Sequence, residues 1–394
     1  MNRMPKITYL VVFFVVLALP SLHYFGAKES WHKIWGWERI PGNPGFTLKS
    51  FADRSYQTTL TEHFSKAFFL RNTFYTTARQ INEIANFGLF HSAGYAGGTI
   101  EGKAFDDRHV GVIFEGPYAK YHLGCERPFN PKRYDSVIAL LREIDAFCRT
   151  NGADFVFQAV PDKLQAYPEY LPDWMKWVWN YENFPIQTHM AKLCEANGVK
   201  AIDGLALFGK LRAETKEWLY PPGGTHLTCL ASARLAEEIV RRANAAGRIR
   251  LEVNPLVRVV EKPDGNWSVD NDISELLNMW YNRHIDMNVH YFPEFAHEPK
   301  VLNAGSAFII GDCYRNQMAQ IFNESGLFAK EKILQSKRQG QKPEDFKAII
   351  GDLKLVVLTF QSFNTGDLDK REAELREIFT ALKTAHEKFK RNEK

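Results

Sequence analysis

Two short segments hold residue types suited to acyl transfer. In Gly311-Asp312-Cys313-Tyr314 an apolar run, Ala307–Ile310, ends in a glycine and delivers a thiol two residues later. This has the form of a nucleophile elbow, in which glycine permits the sharp turn from strand to helix. A helix beginning after Cys313 would aim backbone N–H groups at the reacting centre, acidifying the thiol and binding an oxyanion. In Pro222-Gly223-Gly224-Thr225-His226-Leu227-Thr228 an imidazole follows a glycine pair that lets another chain segment approach closely. Histidine is the side chain best matched to taking and returning a proton near neutral pH. A third segment, Val160-Pro161-Asp162-Lys163, continues into Tyr167-Pro168-Glu169, and Lys163 and Asn316 are further oxyanion candidates. Each residue also has a plain structural reading. A cysteine after a strand can be a small buried hydrophobe, and a histidine at a helix start can be a hydrogen-bonded cap. Cys229 lies about one helical turn past His226, so a disulfide to Cys313 is a further alternative.

The elements around these segments define how they are held. A helix from about Arg133 to Arg149 carries Val137, Leu140, Leu141, Ile144 and Phe147 on one face and ends at Asn151-Gly152. The run Asp154–Val160 then reads as a buried strand closed by Pro161. A helix near Phe184–Ala196 stops at Asn197-Gly198 before a short strand, Val199–Ile202. A helix over Ala231–Ala246 follows His226, and a strand over Lys354–Phe360 leads to a last helix with Leu375, Ile378, Phe379 and Leu382 inward. Alternating helices and apolar strands predict an α/β fold with a parallel sheet covered on both faces, in three layers. Reactive groups then belong beyond the carboxyl ends of the strands, where all three segments fall. The stretch 247–303 breaks the rhythm and reads as an insertion. Its Trp267, Trp280, Tyr281 and Tyr291 are able to stack on sugar rings or to pack against a core. Ser92–Thr99 is rich in small residues and reads as a loop, and 29–115 reads as a helical lead-in.

Composition narrows the class. The 50 basic residues are offset by 46 acidic ones, which gives no electrostatic footprint for nucleic acid. The five cysteines include no CxxC pair and no zinc-like spacing with histidine, so neither metal nor cofactor is implied. Arg3 and Lys6 precede an apolar run over 7–22, the pattern of a signal anchor or signal peptide occupying 1–28. The absence of a clean small-x-small site after the run favours the uncleaved anchor. Either form places the rest of the chain outside the inner membrane.

The three segments, in this order, resemble the SGNH-hydrolase-like domain of the periplasmic alginate O-acetyltransferases (the AlgJ/AlgX type) and their exopolysaccharide relatives. The N-terminal anchor, Arg54-Ser55-Tyr56, Phe69-Leu70-Arg71 and Phe114-Glu115-Gly116-Pro117-Tyr118 extend the resemblance over most of the chain, with the SGNH-like domain over 116–394. Gly224-Thr225-His226-Leu227-Thr228 is similar to the family's Asp-x-His-Trp-Thr motif, and Gly311-Asp312-Cys313-Tyr314 to its Gly-x-Ser-Tyr motif. The resemblance implies an O-acetyltransferase acting on a periplasmic polysaccharide and supplied by a membrane-bound acyltransferase. It makes His226 the base and Cys313 the acetyl carrier, with Asp312, Tyr314 and Thr225 beside them. Gly224, Leu227 and Cys313 stand where the family has Asp, Trp and Ser. A thiol next to imidazole depends less on an orienting carboxylate, so a Ser–His–Asp triad becoming a Cys–His dyad is one coherent change. Asp203 or Asp312 are candidates to orient His226 from elsewhere. The alternatives are a polysaccharide-binding or scaffold protein that has lost catalysis, and an acetylesterase that uses the same residues with water as acceptor.

Overall fold

The computed structural model describes residues 95–96, 99–105, 110–115, 129–170, 186–215, 217–221, 224–245, 247–262, 290–297, 300–337, 340–361 and 365–392. The chain divides into two compact units, Met1–Gly97 with Glu275–Asn282, and Gly98–Ser274 with Arg283–Lys394. In the first, the described residues are the short strand Tyr95–Ala96. The apolar run over 7–22 and the tryptophans of the insertion lie outside the described residues. Among the described residues no helix is long and apolar enough to cross a membrane.

Two strands, β1 (Thr99–Phe105) and β2 (Val110–Glu115), pair antiparallel. Both lie within the stretch 29–115 expected as a helical lead-in, and Tyr95–Ala96 is strand where a loop was expected. The β-branched and aromatic residues Thr99, Ile100, Phe105, Val110, Val112, Ile113 and Phe114 favour strand over helix in both runs.

The central sheet follows. Strands β3 (Asp154–Val160), β4 (Ala201–Asp203), β7 (Ser306–Gly311), β8 (Ile333–Gln335) and β9 (Leu353–Gln361) form one five-stranded sheet in the order β4-β3-β9-β7-β8. All its pairings are parallel. The insertion contributes β5 (Leu256–Lys262) and β6 (His290–Phe295), an antiparallel ribbon of their own.

Successive residues of β3, β7 and β9 enter two separate cores, because strand side chains alternate between faces. Val156, Val160, Ile309, Leu355 and Val357 pack with α3 (Gly204–Glu214), α4 (Cys229–Asn244) and α5 (Tyr314–Glu324). Phe155, Phe157, Phe308, Ile310, Val356 and Leu358 pack with α1 (Asp135–Thr150), α2 (Ile186–Ala196) and α6 (Glu372–Asn392). Both faces being covered explains why these strands read as continuous apolar runs. The chain enters at β3, builds outward to β4, then builds β7 and β8 on the other side and fills the middle with β9. The carboxyl ends of β3, β9 and β7 therefore sit side by side, with Val160 opposite Gln361 and Gly311 opposite Thr359.

Candidate functional site

The elbow forms as the spacing requires. β7 ends at Gly311, Cys313 occupies the cap position, and α5 starts at Tyr314. A Cβ on residue 311 would sit inside contact distance of the Thr359 carbonyl and methyl, so glycine is what lets β7 close onto β9 here. Asp312 locks the turn. One carboxylate oxygen accepts from the Tyr314 N–H at 3.1 Å and the other from the Gln361 N–H at 2.9 Å. Arg315 adds bonds from its guanidinium to the carbonyls of Gly311 and Asp312, at 2.8 and 3.0 Å.

This geometry corrects one expectation about the elbow. The first N–H groups of α5 are engaged within the turn: Tyr314 on the Asp312 side chain, Arg315 on the Asp312 carbonyl and Asn316 on the Cys313 carbonyl. Asp312 is therefore the staple of the elbow. Its carboxylate serves backbone donors on two elements. Asp203 accepts from the Ala206 N–H at 3.1 Å and caps α3. It stands on the edge strand, three strand spacings (about 14 Å) across the sheet from the strand that delivers Cys313.

The segment bearing His226 is held by side chains bonded to its backbone. Lys163, only 3% exposed, donates to the carbonyls of Pro221 at 2.6 Å and Gly224 at 2.8 Å. A buried ammonium needs such partners, and here they fix the glycine that stands at the family's Asp position. Lys163 thus supports the loop. The Tyr314 hydroxyl donates to the Thr225 carbonyl at 2.7 Å, and its ring lies 5.6 Å from that of His226, tilted by 41°. Thr228 caps α4 and donates to the Trp218 carbonyl at 2.7 Å. Leu227, at the Trp position, is buried in the core.

Gln317 escaped the sequence reading. It is fully buried, accepts from the Leu227 N–H at 3.0 Å and donates to the Leu227 carbonyl at 2.6 Å. A signal existed: one turn beyond Tyr314, it is a polar residue on the face that also carries Met318, Ile321 and Phe322. Tyr220 was missed as well. Its hydroxyl bonds the Pro161 carbonyl and ties the β3 loop to the His226 segment. Burial pushes the phenol of Tyr220 well above its ordinary range and that of Tyr167 up to about 12, so both stay protonated donors or acceptors.

The cysteines separate cleanly. None of the four described cysteines is in a disulfide; Cys148, Cys194 and Cys229 are buried, while Cys313 is half-buried, the one described cysteine within reach of solvent. Burial pushes the Cys194 thiol up to about 12 and that of Cys148 higher still, which makes both inert. Cys229 and Cys313 are not bonded to each other, so the disulfide alternative is not adopted. Asn316 is exposed on α5. The structure thus brings Thr225, His226, Lys163, Asp312, Cys313 and Tyr314 to one end of the sheet, and assigns Asp203 to a helix cap.

No protein-family model matches the chain, and no curated protein matches it. Among solved structures it is similar to the "O-Acetyltransferase Domain of Pseudomonas putida AlgJ", at 13% identity and a TM-score of 0.41, over 68% of this chain and 94% of that one. It is similar to Pseudomonas aeruginosa AlgX at 18% identity and a TM-score of 0.42, over 66% of this chain and 61% of that one. A DHHW family protein from Eubacterium siraeum is similar at 14% identity and a TM-score of 0.43, over 72% and 96%. AlgJ and AlgX are thus structural neighbours, at values that assign no individual residue.

Proposed function

We propose that the chain is an O-acyltransferase that moves an acetyl group onto a sugar hydroxyl of an exopolysaccharide in the periplasm, through Cys313 and His226. The observation that carries the reading is the junction itself. A half-buried thiol stands on a strand–turn–helix elbow, and the helix that follows it grips the residues on both sides of His226. In the first step the Cys313 thiolate attacks the acetyl carbonyl, a C–S bond forms, and the bond to the donor's leaving group breaks. The leaving group takes its proton from His226. In the second step His226 removes the proton of a sugar hydroxyl, whose oxygen attacks the thioester. The C–O bond forms, the C–S bond breaks and the thiolate returns. With acetyl-CoA confined to the cytosol, a membrane-bound acyltransferase would hand the acetyl group across. The basic and apolar N-terminus supports a place at the inner membrane.

Gly224 at the position of a triad acid favours a second reading, a polysaccharide-binding protein without catalysis. One experiment separates them. Acetyl content of the polysaccharide is measured in cells carrying wild type, Cys313→Ala or the double variant Cys313→Ala, His226→Ala, each at normal protein level. Loss of acetylation in both variants is expected. Normal acetylation in both would leave a binding protein, and a rise in acetylation would mark an esterase.

A further inference from the structure

Beside the His226 segment lies an aromatic and charged ledge that the acyl-transfer step leaves unused. Trp218 runs alongside Thr228, itself two residues past His226. The Trp218 carbonyl accepts from the Thr228 hydroxyl at 2.7 Å, and the Leu219 carbonyl accepts from the Thr228 N–H at 3.0 Å. The indole is half-buried, packed against the core and edge-on to the Tyr167 ring at 5.3 Å and 62°. Tyr167 is anchored in turn, its hydroxyl accepting from the Leu219 N–H at 2.7 Å. Over the same ring, at 4.7 Å, stands the guanidinium of Arg212, which donates to the Ala166 carbonyl and to both carboxylate oxygens of Glu169. The Arg212 and Glu169 side chains stay 32% and 43% exposed. An ion pair this exposed adds little to stability, yet the ring and the carbonyl hold it in one orientation. A pyranose presents the complement. Its apolar C–H face stacks on an indole, and its hydroxyls accept from a guanidinium and donate to a carboxylate. We infer that Trp218, Arg212 and Glu169 form a subsite for one pyranose unit of a glycan. Their paired charges make the ledge neutral overall, so it takes uncharged hydroxyls in preference to a carboxylate or sulfate. The segment after β3 that carries Glu169 also carries Lys163, which holds the Pro221 and Gly224 carbonyls, so the ledge and the His226 loop share one support.

The inference rests on the polysaccharide substrate proposed above, and its test needs no acetyl donor. The full chain is run by native electrophoresis through gels holding the cells' own exopolysaccharide, chemically stripped of O-acetyl groups, and retardation gives a Kd. Wild type is expected to be retarded, and to stay so in about 0.5 M sodium chloride, which screens plain charge attraction. Trp218→Leu is expected to weaken binding at least about tenfold and Glu169→Gln about threefold. Trp218→Phe, which keeps a flat face, is expected to retain most of the affinity. Arg241→Met removes another exposed Arg–Glu pair, on α4, and is the control expected to match wild type. Should Trp218→Leu not fold, Glu169→Gln is read in its place. Wild-type retardation in the ledge variant overturns the inference, as does no retardation of wild type or retardation that salt abolishes. The acyl-transfer mechanism fails separately: a wild type that binds the glycan through the ledge but forms no acetyl adduct on Cys313 loses the mechanism and keeps the subsite.

Discussion

The two ends of the central sheet are held by different physics. At the amino ends, charges pair with charges: the fully buried Asp154 takes both Lys200 and Arg248, and the buried Asp145 pairs with Arg149 at 2.7 Å. At the carboxyl ends, polar side chains bond to backbone: Lys163, Asp312, Tyr314 and Gln317 each hold a peptide group of the His226 segment or the elbow. Ion pairs clamp a fold but tolerate small displacements. Bonds to main-chain groups set the path of a loop, and with it the place of the side chains that loop displays. Under the proposed mechanism, an end that presents a thiol and an imidazole to each other needs the second kind.

The comparison breaks most readily at Asp154. Asp154→Ala leaves Lys200 and Arg248 without their shared carboxylate and is expected to cost about 3 kcal/mol in urea unfolding. The low-pH alkylation rate of Cys313 should not change in the molecules that remain folded. A change there would mean that the two ends are coupled. Next comes Gly311→Ala, expected to cost about 2 kcal/mol through the clash with Thr359 and also to slow labelling of Cys313. Lys163→Met is expected to cost about 1.5 kcal/mol, by leaving the Pro221 and Gly224 carbonyls short of a donor, and to lower the low-pH labelling rate. Equal loss of labelling in Asp154→Ala and Lys163→Met would erase the distinction between the ends.

The smallest effect is one of pH. Burial raises the carboxyl of Asp145 above its ordinary value, against the pull of Arg149. A raised carboxyl contributes stability that is complete below its unfolded value, near 3.9, and is lost as pH rises through the folded value. Asp145→Asn should flatten that loss, by less than about 1 kcal/mol, in unfolding measured from pH 3 to pH 7.

Much of the scaffold was legible because its punctuation is local. Gly152 and Gly198 both adopt left-handed backbone, with φ of 71° and 77°, where a helix must end before a strand begins. The apolar runs of β3, β7 and β9 and the elbow at Gly311 likewise follow from residues close in sequence. What stayed hidden depends on distance. The insertion of β9 between β3 and β7 joins segments far apart in the chain, and nothing local encodes that order. β8, with three half-buried residues, carries too little pattern to be read. The helix α3 holds glycines at both 204 and 209, which weakens its signal. Within the candidate site, His226 and Cys313 were singled out by residue type and by the loops that carry them. The stapling of the elbow by Asp312 was not legible, because its backbone partner Gln361 becomes a neighbour only when the sheet closes.

The most direct test of the central claim is the acyl-enzyme itself. The purified chain is incubated with an activated acetyl ester, and intact mass is compared for wild type, Cys313→Ala and His226→Ala. One added acetyl group on wild type, absent from Cys313→Ala and slow to form in His226→Ala, is the expected result. No adduct on wild type, with the Cys313 thiol shown to be free and reduced, would contradict the mechanism.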